Sequence, residues 1–311
     1  MSSPRDRIPL IYILSNGRSG TTLLDLLLGA HPRMWTTGEV QNLPWEIVNP
    51  RAPCGCGNPV HESPFWKPLL PDLPTEPKGY HVGYFHNEQQ VGRILRWDLL
   101  PDLLQNRVRL QWKDAVNAYG KNNETVIRTV RTAAERRQDE PVEWIVDASK
   151  DVYRLFWLVK SDRFDLRVIH VMKDPRALVY SMARPWLPWG INRVLRYTAR
   201  WVVENSLMAH LCHSAFPDDH VYRLRYEDLA GRPESTMMEI GNWLDLDYPP
   251  ELTETFKQYD NFAISGNMMR WRASNDTIRL DERWKTEFPA GYQQIVYALT
   301  APFRSYVGYD N

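Results

Sequence analysis

The sequence predicts an α/β protein with a central parallel β-sheet flanked by helices. Three observations lead there. Leu10 to Leu14 is a β-branched and aromatic run that reads as a strand buried on both faces. It passes through a glycine-containing turn, Ser15 to Gly20, directly into an apolar helix. Beyond residue 140, strand-like and helix-like segments alternate, as parallel strands joined by crossover helices require.

The elements follow in order. Thr21 to Leu28 reads as the first helix, with Gly29 as its C-terminal cap. Met34 to Thr36 is a short strand. Pro44 to Pro77 is dense in proline, and we read it as a surface-packed excursion because Trp45, Phe65 and Trp66 need burial. Glu88 to Arg137 is helical in pattern, with a break expected at Pro101. Strands are expected at Glu143–Val146, Leu166–Met172 and His220–Arg225. Helices are expected at about Asp151–Lys160, Pro175–Met182, Ile191–His213 and Glu234–Leu244. The remainder reads as helix and loop. Residues 1–311 are expected to form one domain, with an insertion over about 44–140.

Composition narrows the function. The 311 residues carry 38 basic and 38 acidic side chains, so the net charge is zero and the pI is about 7.1. That leaves no bulk footprint for a nucleic-acid polymer or an anionic membrane. The balance is local, however. Arg163 to Arg200 holds eight basic and two acidic side chains, a net of +6. Three cysteines are too few for a disulfide scaffold, so a reduced, cytoplasmic setting is expected. The run from Ile8 to Leu14 is too short for a signal core or a membrane span.

The turn Ser15-Asn16-Gly17-Arg18-Ser19-Gly20-Thr21-Thr22 has the chemistry of an anion cradle. Glycines let the backbone approach a phosphate, successive N–H groups point at it, and the helix start adds positive charge. Thr21 and Thr22 bring hydroxyls, and Arg18 brings a permanent cation. The turn lacks the Gly-Lys-Ser/Thr ending of a Walker A loop. By itself it reads equally well as a plain strand-to-helix turn.

Gly17-Arg18-Ser19-Gly20-Thr21-Thr22-Leu23-Leu24, followed by Ala30-His31-Pro32 and Gly38-Glu39, resembles the 5′-phosphosulfate signature of sulfotransferases. These enzymes use 3′-phosphoadenosine 5′-phosphosulfate (PAPS) and release PAP. The likeness is to bacterial and tyrosylprotein sulfotransferases; the classical cytosolic enzymes carry a lysine where Arg18 stands. A second stretch, Leu166 to Ala177 continuing to Ser181, resembles the family's 3′-phosphate segment, with Lys173 and Ser181 in the ligand positions. Lys173 replaces the usual arginine and so loses the bidentate fork. The residues alone also allow Asp174-Pro175 to be simply a helix start. Val146 to Asp151 resembles the segment that supplies a lysine, here Lys150, to the sulfonate. Arg223 to Leu229 resembles the stretch whose tyrosine, here Tyr226, lies near the adenine. Ser265-Gly266-Asn267 with Arg270 and Arg272 resembles a loop that closes over the nucleotide. The likeness runs in patches from about Leu10 to Arg272.

This resemblance implies a P-loop-NTPase-like sulfotransferase fold with helical and Pro-rich insertions, the 44–140 insertion serving as acceptor side or helical cover. It implies PAPS binding by Gly17, Arg18, Ser19, Gly20, Thr21, Thr22, Lys173, Ser181, Tyr226, Asn267 and Arg270. Sulfonyl transfer needs in-line oxygens and neutralised charge, the roles expected of Arg18 and Lys150. A base must take the acceptor proton. Glu39 is expected to do so, because its chain returns to the strand ends and it matches the tyrosylprotein enzymes' catalytic glutamate. A helix-start carboxylate is the plainer reading of Glu39. His31 and His170 read as structural; His81 and His86 are further candidates. No metal is required by the chemistry. Cys54-Gly55-Cys56 resembles a cysteine-containing insertion of the bacterial relatives, with Ser63 near the position of a further cysteine; two thiols do not make a four-ligand zinc site.

The expected partner is a small-molecule or glycan acceptor bearing a hydroxyl or amine, with neither a nucleic acid nor a membrane; homo-oligomerisation is left open. A nucleotide-dependent phosphotransferase and a noncatalytic nucleotide-binding protein are the competing readings. Thirteen tryptophans are unusual. Most are expected in the core, while Pro185-Trp186-Leu187-Pro188-Trp189 is a candidate acceptor-side loop.

Overall fold

The computed structural model describes residues 7–49, 54–74, 95–186, 188–271, 277–307 and 309. Its first half contains β1 (Ile8–Ser15), α1 (Thr21–Gly29), β2 (Met34–Thr36), α2 (Leu43–Val48), α3 (Leu100–Leu104) and α4 (Lys113–Gln138). Then come β3 (Trp144–Lys150), α5 (Val152–Ser161), β4 (Phe164–Met172), α6 (Pro175–Ala183), α7 (Ile191–Ala215) and β5 (Val221–Arg225). Helices α8 (Tyr226–Gly231), α9 (Pro233–Trp243), α10 (Leu252–Thr255), α11 (Trp284–Glu287) and α12 (Ala290–Arg304) complete the order. Among the described residues no helix is long and apolar enough to cross a membrane.

The five strands form one parallel sheet in the order β2-β3-β1-β4-β5. The alternation of side chains along β1 explains why helices cover both faces. Leu10, Tyr12 and Leu14 enter one core with Tyr119 of α4 and Phe156 of α5. Ile11 and Ile13 enter the other, with Leu24 and Leu27 of α1 and Met237 and Ile240 of α9. Strand β4 divides the same way, Leu166 and Val168 to one side, Ile169 and Val171 to the other. Because β1 lies between β3 and β4, the chain leaves it toward one edge and later crosses to the other. The crevice beyond the carboxyl end of β1 is therefore a topological switch point, where ligands bind in open α/β sheets.

Three local expectations change. Gly29 is not a left-handed cap: it is the last helical residue and Ala30 caps the helix in right-handed geometry. Its hydrogen instead permits close packing, since a Cβ would lie 2.8 Å from Thr36 Cγ2. Strand β3 runs on past Val146 to Lys150, because its polar half is paired and its side chains find partners. Pro101 does not break a helix; it sits in the first turn of α3, where its missing N–H costs nothing. Asn106, at φ 47°, belongs instead to the connection between α3 and the later helix α4. Residues 88–94, His81, His86, Leu187 and Arg272 lie outside the described residues.

Candidate active site

The loop Asn16–Gly20 sits at the switch point. Gly20 has φ 81°, and a Cβ there would lie 2.3 Å from Tyr226 Cδ2, so the tyrosine ring rests directly on the loop backbone. Lys173 Nζ stands 4.2 Å from the centroid of the same ring. Tyr226 thus joins the first loop to the end of β4. Lys173 is buried, which pushes its pKa down, although Glu227, Asp281 and Asp174 pull it back. Ser19 is fully buried and its hydroxyl has no hydrogen-bond partner among the described residues. Arg18 is exposed and left-handed, at φ 71°. Thr22 Oγ1 accepts the Asn267 N–H at 3.1 Å, closing the 265–267 loop onto the start of α1. Ser181 lies half-buried on α6.

Glu39 and Lys150 meet although 111 positions separate them. Lys150 Nζ donates to Glu39 Oε1 across a pair that is 18% exposed on each side. The sheet order causes this: β3 inserts between β2 and β1, so the residues after β2 and at the end of β3 converge. Lys150 is held at φ 69° by a rigid strand end. Asp147 is buried against Arg154 at 2.6 Å, Arg154 also reaches Tyr119 Oη at 2.5 Å, and Ser149 N donates to Asp147 at 3.0 Å. Gln41 Nε2 donates to Ser149 O at 2.9 Å, and Asp151 caps α5 through Tyr153 N and Arg154 N at 2.8 Å.

Several polar groups around this pair have no place in the sequence-based expectation. Asn42 Nδ2 lies 3.4 Å from Glu39 Oε2 and 2.9 Å from Ser265 Oγ, and Ser265 donates to Glu46. Burial pushes the Glu46 carboxyl up, the Ser265 hydrogen bond opposes this, and Glu39 adds to it. Positions 39, 42 and 46 are spaced three and four apart, a signal readable once a helical turn is assumed. Asp25 is the one charged residue of α1, set among leucines, and is 1% exposed. Arg270, expected at the nucleotide, is buried; its Nη1 donates to Ala263 O at 2.7 Å. At the start of the loop, Asn16 donates to Glu204, and Asn205 Nδ2 donates to Asn16 Oδ1 at 2.6 Å.

The histidines and tryptophans sort by contact. His31 Nε2 lies 2.9 Å from Asp247 O and its ring stacks on Tyr248, while His170 is buried against Asn205. Trp35 packs on Phe65 and Phe262, and Trp66 Nε1 donates to Phe262 O at 2.7 Å. Trp189 packs on Tyr180 and Phe288, but Trp186 is 61% exposed. The Cys54 and Cys56 thiols lie 3.4 and 3.7 Å from Ser63 Oγ. Among the described residues, no cluster of three His, Cys, Asp or Glu side chains could hold a metal.

A five-stranded parallel sheet flanked by helices, with a glycine-containing turn at its switch point, defines a P-loop-like α/β architecture. Comparison with known proteins gives the family: residues 86–250 match the sulfotransferase family model, and the chain belongs to that family. It is 22% identical over 314 residues to a Caenorhabditis briggsae protein provisionally named a protein-tyrosine sulfotransferase, covering 97% of this chain and 89% of that protein. It is 24% identical over 168 residues to carbohydrate sulfotransferase 3 of Mus musculus, covering 49% of this chain and 35% of that one. The sulfotransferase domain of the Synechococcus PCC 7002 olefin synthase superposes with a TM-score of 0.55 at 20% identity, covering 100% of this chain and 98% of that domain. The sulfotransferase domain of the curacin biosynthetic pathway gives 0.53 at 17% identity, covering 95% and 98%. These likenesses establish the sulfotransferase fold.

Proposed function

We propose that the protein transfers the sulfonate group of PAPS to a hydroxyl or amine of a small-molecule or glycan acceptor, with Glu39 as general base. The observation that carries this reading is the Glu39–Lys150 contact beside the Arg18 loop. It brings a carboxylate base and a cation together where the loop would present an anion.

The residues fit such a donor. The buried Ser19 hydroxyl has no partner among the described residues, and a Cβ at Gly17 would meet none of their atoms within 4 Å. In our reading Gly17, Ser19, Gly20, Thr21 and Thr22 hold the 5′-phosphosulfate, Lys173 and Ser181 the 3′-phosphate, and Tyr226 and Asn267 the nucleoside side. PAPS supplies a sulfonate on a phosphate leaving group. Glu39 takes the acceptor proton, the acceptor oxygen or nitrogen forms the new bond to sulfur, and the bond from sulfur to the phosphate oxygen breaks. Arg18 and Lys150 neutralise the charge on the sulfonate and leaving oxygens. Lys150 must exchange partners to do so: engaging the sulfonate frees Glu39 to receive the proton.

The excursion over 44–140 is proposed as the acceptor side. The names of the relatives add tyrosine and carbohydrate hydroxyls to the acceptors worth testing. The test is transfer of labelled sulfonate from PAPS to a panel of phenols, sugars, tyrosine peptides and amines. Glu39→Ala is expected to lose turnover and keep PAP affinity. Turnover in that variant equal to wild type would remove Glu39 as base, and transfer from ATP without PAPS would remove the reading altogether.

A further inference from the structure

Asp25 and Arg270 are buried charges that a phosphate cradle does not require. Burying a carboxylate and a guanidinium is expensive, and an apolar filling of the same space is often the more stable solution. Their hydrogen bonds show what they grip. Thr36 Oγ1 donates to Asp25 Oδ1, and the same oxygen accepts the Gly38 N–H at 3.1 Å. Gly38 stands at φ 66° immediately before Glu39. Carboxylate, hydroxyl and amide thus form one line from the middle of α1 to the turn that carries Glu39.

Arg270 grips the facing segment. Its Nη1 bonds Ala263 O at 2.7 Å, and the next residue makes both bonds to the Glu39 turn: Glu39 N to Ile264 O at 2.8 Å and Ile264 N to Thr37 O at 2.9 Å. The guanidinium lies against Gly266, where a Cβ would be 2.0 Å from Nη2. Three carboxylates, Asp25, Glu39 and Glu46, act on this one buried cation.

We propose that Asp25 and Arg270 are positioning residues for the general base, clamping from two sides the pair of backbone segments that aim Glu39 at Lys150. The inference rests on Glu39 being the base. It gives Arg270 a role different from the nucleotide contact implied by resemblance. The clamp acts through Thr36 and Ala263, so loosening it misdirects Glu39 without emptying the phosphate sites.

Asp25→Ala, Thr36→Val and Arg270→Lys test this in the full chain, beside Glu39→Ala. The probes are PAP binding by calorimetry, turnover of PAPS with p-nitrophenol and with a sugar alcohol, and amide hydrogen exchange at Glu39 and Ile264. The clamp variants should keep PAP affinity within about twofold and lose about 10- to 100-fold in kcat, the scale of a small misplacement of a reacting group. Protection of the two amides should fall. Rescue should be graded, with Arg270→Lys milder than Arg270→Gln. Wild-type kcat and protection in Thr36→Val and Arg270→Lys, with Glu39→Ala inactive, would overturn the clamp and leave the base intact. Loss of PAP affinity in Arg270→Lys would overturn it in favour of nucleotide contact. If Glu39→Ala turns over normally the base assignment falls, and hydrogen exchange alone then decides whether the clamp exists.

Discussion

Asp25 should make the protein's stability depend on pH in a direction opposite to that of a salt-bridged carboxylate. Burial pushes its carboxyl from the ordinary 3.8 to about 6, against the pull of Arg270 and of the Thr36 hydrogen bond. The native state therefore holds a proton that the unfolded chain releases earlier. Stability linked to this group is fully present below pH 3.8 and declines as pH rises toward and through 6. A shift of this size corresponds to roughly 3 kcal/mol over the whole window, of which about 2 kcal/mol falls between pH 4 and 7.5. Asp25→Asn keeps an acceptor for Thr36 and removes the titration. Urea unfolding of both proteins at pH 4 and 7.5 gives the answer as a difference of differences. The gap between the two proteins should move by about 2 kcal/mol in favour of the variant at the higher pH. Parallel stability curves would refute the reasoning, because they would mean that Asp25 has the same proton affinity folded and unfolded.

Two further substitutions probe the frame. Gly20→Ala forces a methyl group to within 2.3 Å of a Tyr226 ring that also has Lys173 Nζ 4.2 Å from its centroid, in a backbone conformation that disfavours alanine. It should cost about 1–3 kcal/mol in thermal unfolding and weaken PAP binding at least about tenfold by calorimetry. Asp147→Ala takes the carboxylate from Arg154, whose side chain is 1% exposed, and should cost about 3–5 kcal/mol in urea unfolding; a cost below about 1 kcal/mol would show that the pair does not hold the β3 end.

The half of the fold that could be read in the sequence is the half whose signals are local. Leu10–Leu14 is an uninterrupted apolar run and Leu166–Met172 is apolar but for Arg167 and His170, and both lie in interior strands of the sheet. Asp174-Pro175 announces α6, and Asp174 does cap it by accepting the Arg176 N–H. The polar end of β3 was illegible for a physical reason. Asp147, Ser149 and Lys150 look like loop residues until Arg154, Gln41 and Glu39 arrive from elsewhere to pair with them. Likeness to a family marks Glu39 and Lys150, and for Glu39 so does a chain that returns to the strand ends, but nothing in their spacing says that they touch. Asp25 was readable as an oddity, a single carboxylate in an apolar helix, but its partners are not. Arg270 lies 245 positions away, and a side chain that turns inward to a carbonyl looks in sequence like any loop arginine.

The positive-φ residues show how the site is held together. Among the described residues, Arg18, Lys150 and Ser265 are left-handed without being glycine, and Gly20, Gly38 and Gly266 are left-handed beside them. A non-glycine residue pays about 1 kcal/mol or more for this conformation, so it persists only where the surroundings over-determine it. Each of these surroundings can be named. The loop bearing Arg18 is pressed by Tyr226, Lys150 ends a strand locked by Asp147, Arg154 and Gln41, and Ser265 is bonded to Asn42 and Glu46. The same devices place two cations and a carboxylate on three separate chain segments at the end of one sheet. The other non-glycine residues of positive φ among those described, Asn106, Asp139, Asp162 and Asp245, are types that adopt it more readily, so the costly instances are Arg18, Lys150 and Ser265. Groups already held in place need not reorganise when charge develops. Stability should therefore be recoverable at these positions by substitutions that relax the backbone, and activity should be lost by the same substitutions.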